Sequence, residues 1–138
     1  MLDLTSLRKA VGSLERAVKT AKAMLADDAN TDETELIRAG VIQNFEFTYE
    51  LCWKFMRRWL EKNFPGQPVD GVTMKELFRM SAEHALIDDV EIWFAYHAAR
   101  NKTSHVYDIA LAQDVYETSL RFLNDARMLL TKIEAAND

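Results

Sequence analysis

Residues 33–62 carry apolar side chains around most of a helical circumference, at Leu36, Ile37, Val41, Ile42, Phe45, Phe47, Leu51, Trp53, Phe55, Met56, Trp59 and Leu60. No single stripe at 3.6-residue spacing holds them all, so a helix built from this stretch needs cover on several sides. Pro65-Gly66-Gln67-Pro68 then stops it, because proline removes backbone donors and clashes with the preceding turn. A chain with such a segment is expected to organise itself around one long central helix. That helix lies either inside a bundle or partly in an oligomer interface. Gly40 within it weakens a helix by about 1 kcal/mol relative to Ala, and is expected where a neighbour packs closely.

The flanking segments supply the cover. From Thr5 to about Leu25, apolar residues at Leu7, Val11, Leu14, Val18, Ala21 and Leu25 step by four and three and mark one face of a first helix. Arg8, Lys9, Glu15, Arg16, Lys19 and Lys22 make its solvated face. Residues 27–32 read as a polar connection with helix-start candidates at its end. Thr73-x-x-Glu76 is a capping-box pattern that opens a third helix running to about Leu86, and Asp88-x-x-Glu91 opens a fourth in the same way. Asp108 is placed to cap a fifth, with Leu111, Val115, Phe122, Leu129 and Ile133 on its inner side. Nothing reads as a strand, repeat or low-complexity linker. The expected architecture is all-α: one domain over residues 1–138, a five-helix up-and-down bundle around a long central helix.

Composition narrows function by exclusion. A net charge of −5 lacks the broad basic surface of a general nucleic-acid coat, although a small local basic site remains open. The single Cys52 cannot form an internal disulfide, and no apolar run suggests a signal peptide or a membrane span, so a cytoplasmic setting is expected. His84, His97 and His105 show no HExxH spacing and one cysteine cannot build a zinc site, so no protein-held metal is expected. No P-loop or GxGxxG loop is present, so the chain is not expected to carry nucleotide-binding machinery of its own.

Three clusters carry possible chemistry. Glu46 and Glu50 share a helix face at i, i+4 and repel unless a cation such as Arg38 or Arg100 sits opposite, as a structural ion pair or a functional one. Lys54, Arg57, Arg58 and Lys62 interleave with Trp53, Phe55 and Trp59 near the end of the central helix. That mix suits phosphate and base contacts, and it equally suits the negative end of the helix dipole. The third cluster, Arg100-Asn101-Lys102-Thr103-Ser104-His105-Val106-Tyr107, follows the aromatic run Ile92-Trp93-Phe94-Ala95-Tyr96. It offers a guanidinium fork, a group that titrates near neutral pH and a phenol. On one unbroken helix Arg100 and His105 would point roughly 140° apart. They meet only if the helix breaks between them or a second subunit supplies the partner. Were the helix to continue, His97, Arg100, Asn101 and Ser104 would share a polar face.

Arg100-Asn101 with His105 and Tyr107 resembles the Arg-x4-His-x-Tyr motif of HEPN domains that are paired with minimal nucleotidyltransferases. The block from Arg38 through Asn44, Glu46 and Glu50 to Lys54 resembles the signature of the nucleotidyltransferase substrate-binding family, a branch of that helical group. The resemblance covers nearly the whole chain in order. One departure is Asn44, where the family pattern more often has a basic residue, so nucleotide or RNA contact there would be weaker or differently placed.

The resemblance implies a HEPN-like bundle and a partner, a small nucleotidyltransferase on a separate chain that holds the ATP and Mg²⁺. Its substrate-binding branch implies an adaptor subunit presenting substrate to that partner, with Glu46, Glu50, Lys54, His97 and Ser104 as candidate substrate contacts. Its toxin–antitoxin branch implies instead a metal-independent endoribonuclease, silenced when the partner transfers AMP to Tyr107. For cleavage, His105 has the acid–base chemistry to move the proton of a ribose 2′-hydroxyl, and Arg100 the fork to stabilise a phosphorane. Asn101 would orient either group. One histidine cannot be base and acid at once, so a homodimer or larger even assembly bringing two His105 side chains together is expected, with RNA as a further partner. Two classes therefore stay open, adaptor and ribonuclease.

Overall fold

The computed structural model describes residues 1–25 and 31–137. Its elements are five α-helices and one 3-10 turn: α1 (Thr5–Met24), α2 (Asp32–Asn63), α3 (Met74–Glu83), α4 (Val90–Asn101), the turn Thr103–His105, and α5 (Ile109–Ala135). No strand occurs among the described residues. Of the polar connection expected at 27–32, residues 27–30 lie outside the described residues.

The long helix α2, with 32 residues, is the organising element and packs against α1, α3, α4 and α5. Thr31 starts it by accepting the backbone N–H of Thr34 at 3.1 Å, and Asp32, Glu33 and Glu35 in its first turn complement the helix dipole. The stripe on α1 is buried as its spacing requires, from Leu7 through Val11, Leu14 and Val18 to Ala21. Phe122 of α5 sits at the aromatic centre, with ring centroids 5.1 Å from Phe45, 4.9 Å from Tyr96 and 5.7 Å from Trp93. Edge-to-face contacts of this kind join α2, α4 and α5 into one core.

Several expectations are corrected. An added Cβ on Gly40 would meet nothing within 4 Å, so among the described residues no neighbour packs closely there. The cover on α2 within one chain is partial, as the interface alternative allows: Leu36 is 75% exposed and Phe47 42%. The third helix ends at Glu83 rather than near Leu86, because Ala85 turns left-handed (φ 61°). The N–H groups of Ala85 and Leu86 then bond the carbonyls of Ala82 and Ser81 at 3.0 and 2.9 Å, closing the helix in a Schellman pattern. The cap of α4 is Asp89, which accepts from Glu91 and Ile92, while Asp88 pairs with Lys132 at 2.7 Å. Thr73 and Asp108 cap α3 and α5 as their positions predicted, accepting from Glu76 and Leu111 at 3.2 Å each.

Candidate functional site

The helix carrying the aromatic run breaks where the chemistry begins. Helix α4 ends at Asn101, and the Thr103 hydroxyl donates to the carbonyl of Arg100 at 2.7 Å, satisfying one of the acceptors that a helix end leaves open. The N–H of His105 bonds Lys102 O at 3.0 Å and that of Asp108 bonds His105 O at 3.1 Å. Asp108 then caps α5, so residues 102–108 form a tied reversal between two helices. This break lies between Arg100 and His105, yet Arg100 turns to Glu46 and Glu50 while His105 lies against Tyr107. The break also takes Ser104 off the face it would have shared with His97, a correction to the continuous-helix expectation.

Arg100 is turned toward α2. Its Nε donates to Glu50 Oε1 at 3.1 Å, Nη1 donates to Thr103 Oγ1 at 3.2 Å, and Nη2 lies 3.9 Å from Glu46 Oε2. The second oxygen of Glu50 accepts from Trp53 Nε1 at 3.1 Å. Of the two cations that sequence offered for the Glu46–Glu50 pair, Arg100 takes the role, while the Arg38 guanidinium lies 6.0 Å from the centroid of Tyr116. Two carboxylates face one guanidinium, so the shallow basin lined by Gln43, Glu46, Phe47, Glu50 and Arg100, about 230 Å³, does not favour a phosphate as it stands.

His97 is fastened one turn deeper. Its Nδ1 lies 2.8 Å from the Tyr49 hydroxyl. Burial first, and then the nearby Glu50 charge, pushes the Tyr49 phenol well above its ordinary range, so the phenol keeps its proton, and the His97 tautomer sets which of the two groups donates. His105 differs in every respect: its side chain is exposed, and its ring meets the Tyr107 ring edge-on at 6.1 Å. The chain's four tyrosines divide the same way. Tyr49, Tyr96 and Tyr116 are buried, whereas Tyr107 is 83% exposed. Tyr96 donates to Asp125, and burial and that bond raise its pKa.

The structure thus brings Arg100 together with Glu46 and Glu50, and His105 with Tyr107. Lys54 is exposed, 5.7 Å from the centroid of the Trp53 ring that also bonds Glu50. Asn101 and Ser104 are exposed beside the break. Arg57 and Arg58 of the basic cluster lie over aromatic rings, Arg57 over Trp53 at 5.2 Å and Arg58 over Phe55 at 4.9 Å. Asn44 points into the bundle, accepting from Ser13 at 2.6 Å and donating to Gly40 O at 2.8 Å. Sequence reasoning missed Thr103, which touches Arg100 through both its hydroxyl contacts; a threonine three residues after the arginine was the available signal. Among the described residues, no group of three or more His, Cys, Asp or Glu side chains comes together as a metal site, and no helix is long and apolar enough to cross a membrane.

A family profile described as "Nucleotidyltransferase substrate binding protein like" matches residues 2–135. The chain belongs to this family. A curated Haemophilus influenzae relative, "Probable ribonuclease HepT", is 33% identical over 138 residues, which is 99% of this chain and 94% of the relative. A solved Haemophilus influenzae structure, described as revealing the fold of a substrate binding domain of a nucleotidyltransferase, superposes with a TM-score of 0.89 at 33% identity. That match covers 96% of this chain and 99% of the other. A Thermus thermophilus structure matches at TM-score 0.66 and 23% identity over 87% of this chain and 98% of its own, a likeness of fold alone. As a member of the nucleotidyltransferase substrate-binding family, the chain has the all-α bundle that its periodicity and the residues at 38–54 and 100–107 led us to expect.

Proposed function

We propose that this chain is the substrate-binding or adaptor subunit of a separate minimal nucleotidyltransferase that docks on the α4 break, and, carrying over AMP transfer from the toxin–antitoxin branch, that the partner uses Tyr107 as its acceptor. The supporting observation is exposure. Tyr107 is 83% exposed in a turn tied at both ends, while the other tyrosines are buried. The partner holds ATP and Mg²⁺ and supplies the metal's charge neutralisation at the phosphates. In the transfer, the Tyr107 oxygen attacks the α-phosphorus of ATP. The new O–P bond forms as the bond to pyrophosphate breaks, and the phenolic proton leaves to solvent. The added phosphate places an anion beside His105. The test of docking is hydrogen exchange on the chain with its co-expressed nucleotidyltransferase. Slowed exchange is expected in residues 100–109; no co-purification, or protection confined to other helices, overturns it.

A second reading, the metal-independent endoribonuclease with Arg100, Asn101 and His105 as its catalytic set, is favoured by the exposure of the His105 side chain. Against it, Glu50 and Glu46 already occupy Arg100. Cleavage would need RNA to displace those carboxylates, and a homodimer to bring a second His105. Such a nuclease would work in EDTA, leave a 2′,3′-cyclic phosphate and be lost in His105→Ala. Cleavage that survives that substitution, or that EDTA abolishes, removes this reading. Leu36 and Phe47 are exposed apolar side chains that a second copy would cover; sedimentation showing only a monomer at micromolar concentration contradicts the dimer.

A further inference from the structure

Beside the break lies a second cavity, of about 290 Å³, between α2, the turn and the start of α5. Its apolar walls are Ile42, Val106 and Ala112, and its polar groups are Glu35 and Arg38, one helical turn apart on α2. Tyr107 stands on its lip. The volume sits near the lower end of small-molecule pockets, about 300 Å³, enough for one nucleoside and too little for an oligonucleotide. The chemistry is also that of a nucleotide seat. Aliphatic walls take a flat base, a guanidinium offers its fork to one phosphate, and a carboxylate accepts from ribose hydroxyls.

We propose that this cavity seats a nucleoside monophosphate group carried on the Tyr107 oxygen. The proposal rests on the reading of Tyr107 as the nucleotidyl acceptor and adds where the attached group goes. Tyr107 is mostly in solvent, so its ring turns about χ1 without breaking core contacts, and a group joined to its oxygen swings back over the lip. Arg38 then meets the phosphate, and the base packs against Ile42 and Ala112. Once seated, the nucleotide pins the turn bearing His105 onto α2 and α5. Transfer would thus fix the turn as well as change its charge.

A tether supplies an effective concentration on the order of millimolar, so free AMP must bind the same cavity at about that concentration if the seat exists. The experiment is a titration of the untreated full chain with AMP, followed by NMR of isotope-labelled methyl groups. Saturable shifts are expected at Ala39, Ile42, Val106 and Ala112. Arg38→Gln should weaken AMP about tenfold while leaving adenosine unchanged, a split that mere loss of fold would not produce. Ala39→Trp, at an exposed position on the cavity wall, should block both ligands. Shifts that never saturate, shifts centred on Glu46 and Glu50, or equal AMP binding by Arg38→Gln and wild type would overturn the seat. Intact mass after incubation with the nucleotidyltransferase, ATP and Mg²⁺ tests the acceptor separately. Mass gain without cavity binding removes the seat and keeps the acceptor. Cavity binding without mass gain removes the acceptor and with it the covalent source of the ligand.

Discussion

His97 and His105 lie eight positions apart and inhabit opposite environments. The first belongs to the continuous part of α4, half-buried, its Nδ1 held by the Tyr49 hydroxyl at 2.8 Å. The second lies past the point where Thr103 closes the helix, exposed, with its imidazole against the edge of another exposed ring. The same division separates Tyr96, buried and bonded to Asp125, from Tyr107. One helix thus delivers two kinds of polar aromatic residue: those that fasten the bundle, and those left available because the helix stops before packing can claim them. Arg100 sits on the boundary, its charge already answered by α2.

The largest expected contrast sets the core against the turn. Phe122→Ala removes a fully buried ring that joins three helices and should cost about 3–5 kcal/mol, whereas Tyr107→Ala should stay within about 0.5 kcal/mol of wild type. Urea denaturation measures both, and a Tyr107→Ala loss comparable to that of Phe122→Ala would erase the distinction between the regions. The histidines give a sharper and smaller version. Tyr49→Phe leaves His97 Nδ1 without its hydrogen-bond partner and should cost about 1–2 kcal/mol. His105→Ala should again cost no more than about 0.5 kcal/mol.

Alkaline pH should act on the core side of the division. Burial raises the Tyr49 and Tyr96 pKa values above those of the unfolded chain. Their contribution is therefore fully present below about pH 10, and is lost as pH rises above it, because the unfolded phenols release protons first. Urea midpoints should fall on that limb, and Tyr96→Phe should shrink the fall. The smallest effect lies far from either histidine. Ala85 holds a left-handed conformation that glycine adopts freely, so Ala85→Gly should stabilise by about 0.5–1 kcal/mol, read as a rise in thermal midpoint.

Most of the scaffold was legible because it depends on periodicity and on local stop signals. The stripe on α1, the length of α2, its end before Pro65, and the caps at Thr73 and Asp108 all follow from rules that reach only a few residues along the chain. Asp89 rather than Asp88 caps α4, and Asp88 pairs instead with Lys132, on a helix distant in sequence. The site was less legible for the same reason. Spacing put Glu46 beside Glu50, but choosing Arg100 over Arg38 needed the packing of α4 on α2. Gly40 carried a packing meaning in sequence that its open surroundings do not support. Nothing local distinguishes Tyr107 from Tyr96; exposure is decided by where α4 stops and how α5 leaves the turn.

The reading of the turn as the presented element is tested most directly by intact mass of the chain after incubation with its nucleotidyltransferase, ATP and Mg²⁺, wild type beside Tyr107→Phe. An AMP-sized gain on the wild type and none on Tyr107→Phe is the expected result. No gain on the wild type, or an equal gain on Tyr107→Phe, would contradict it.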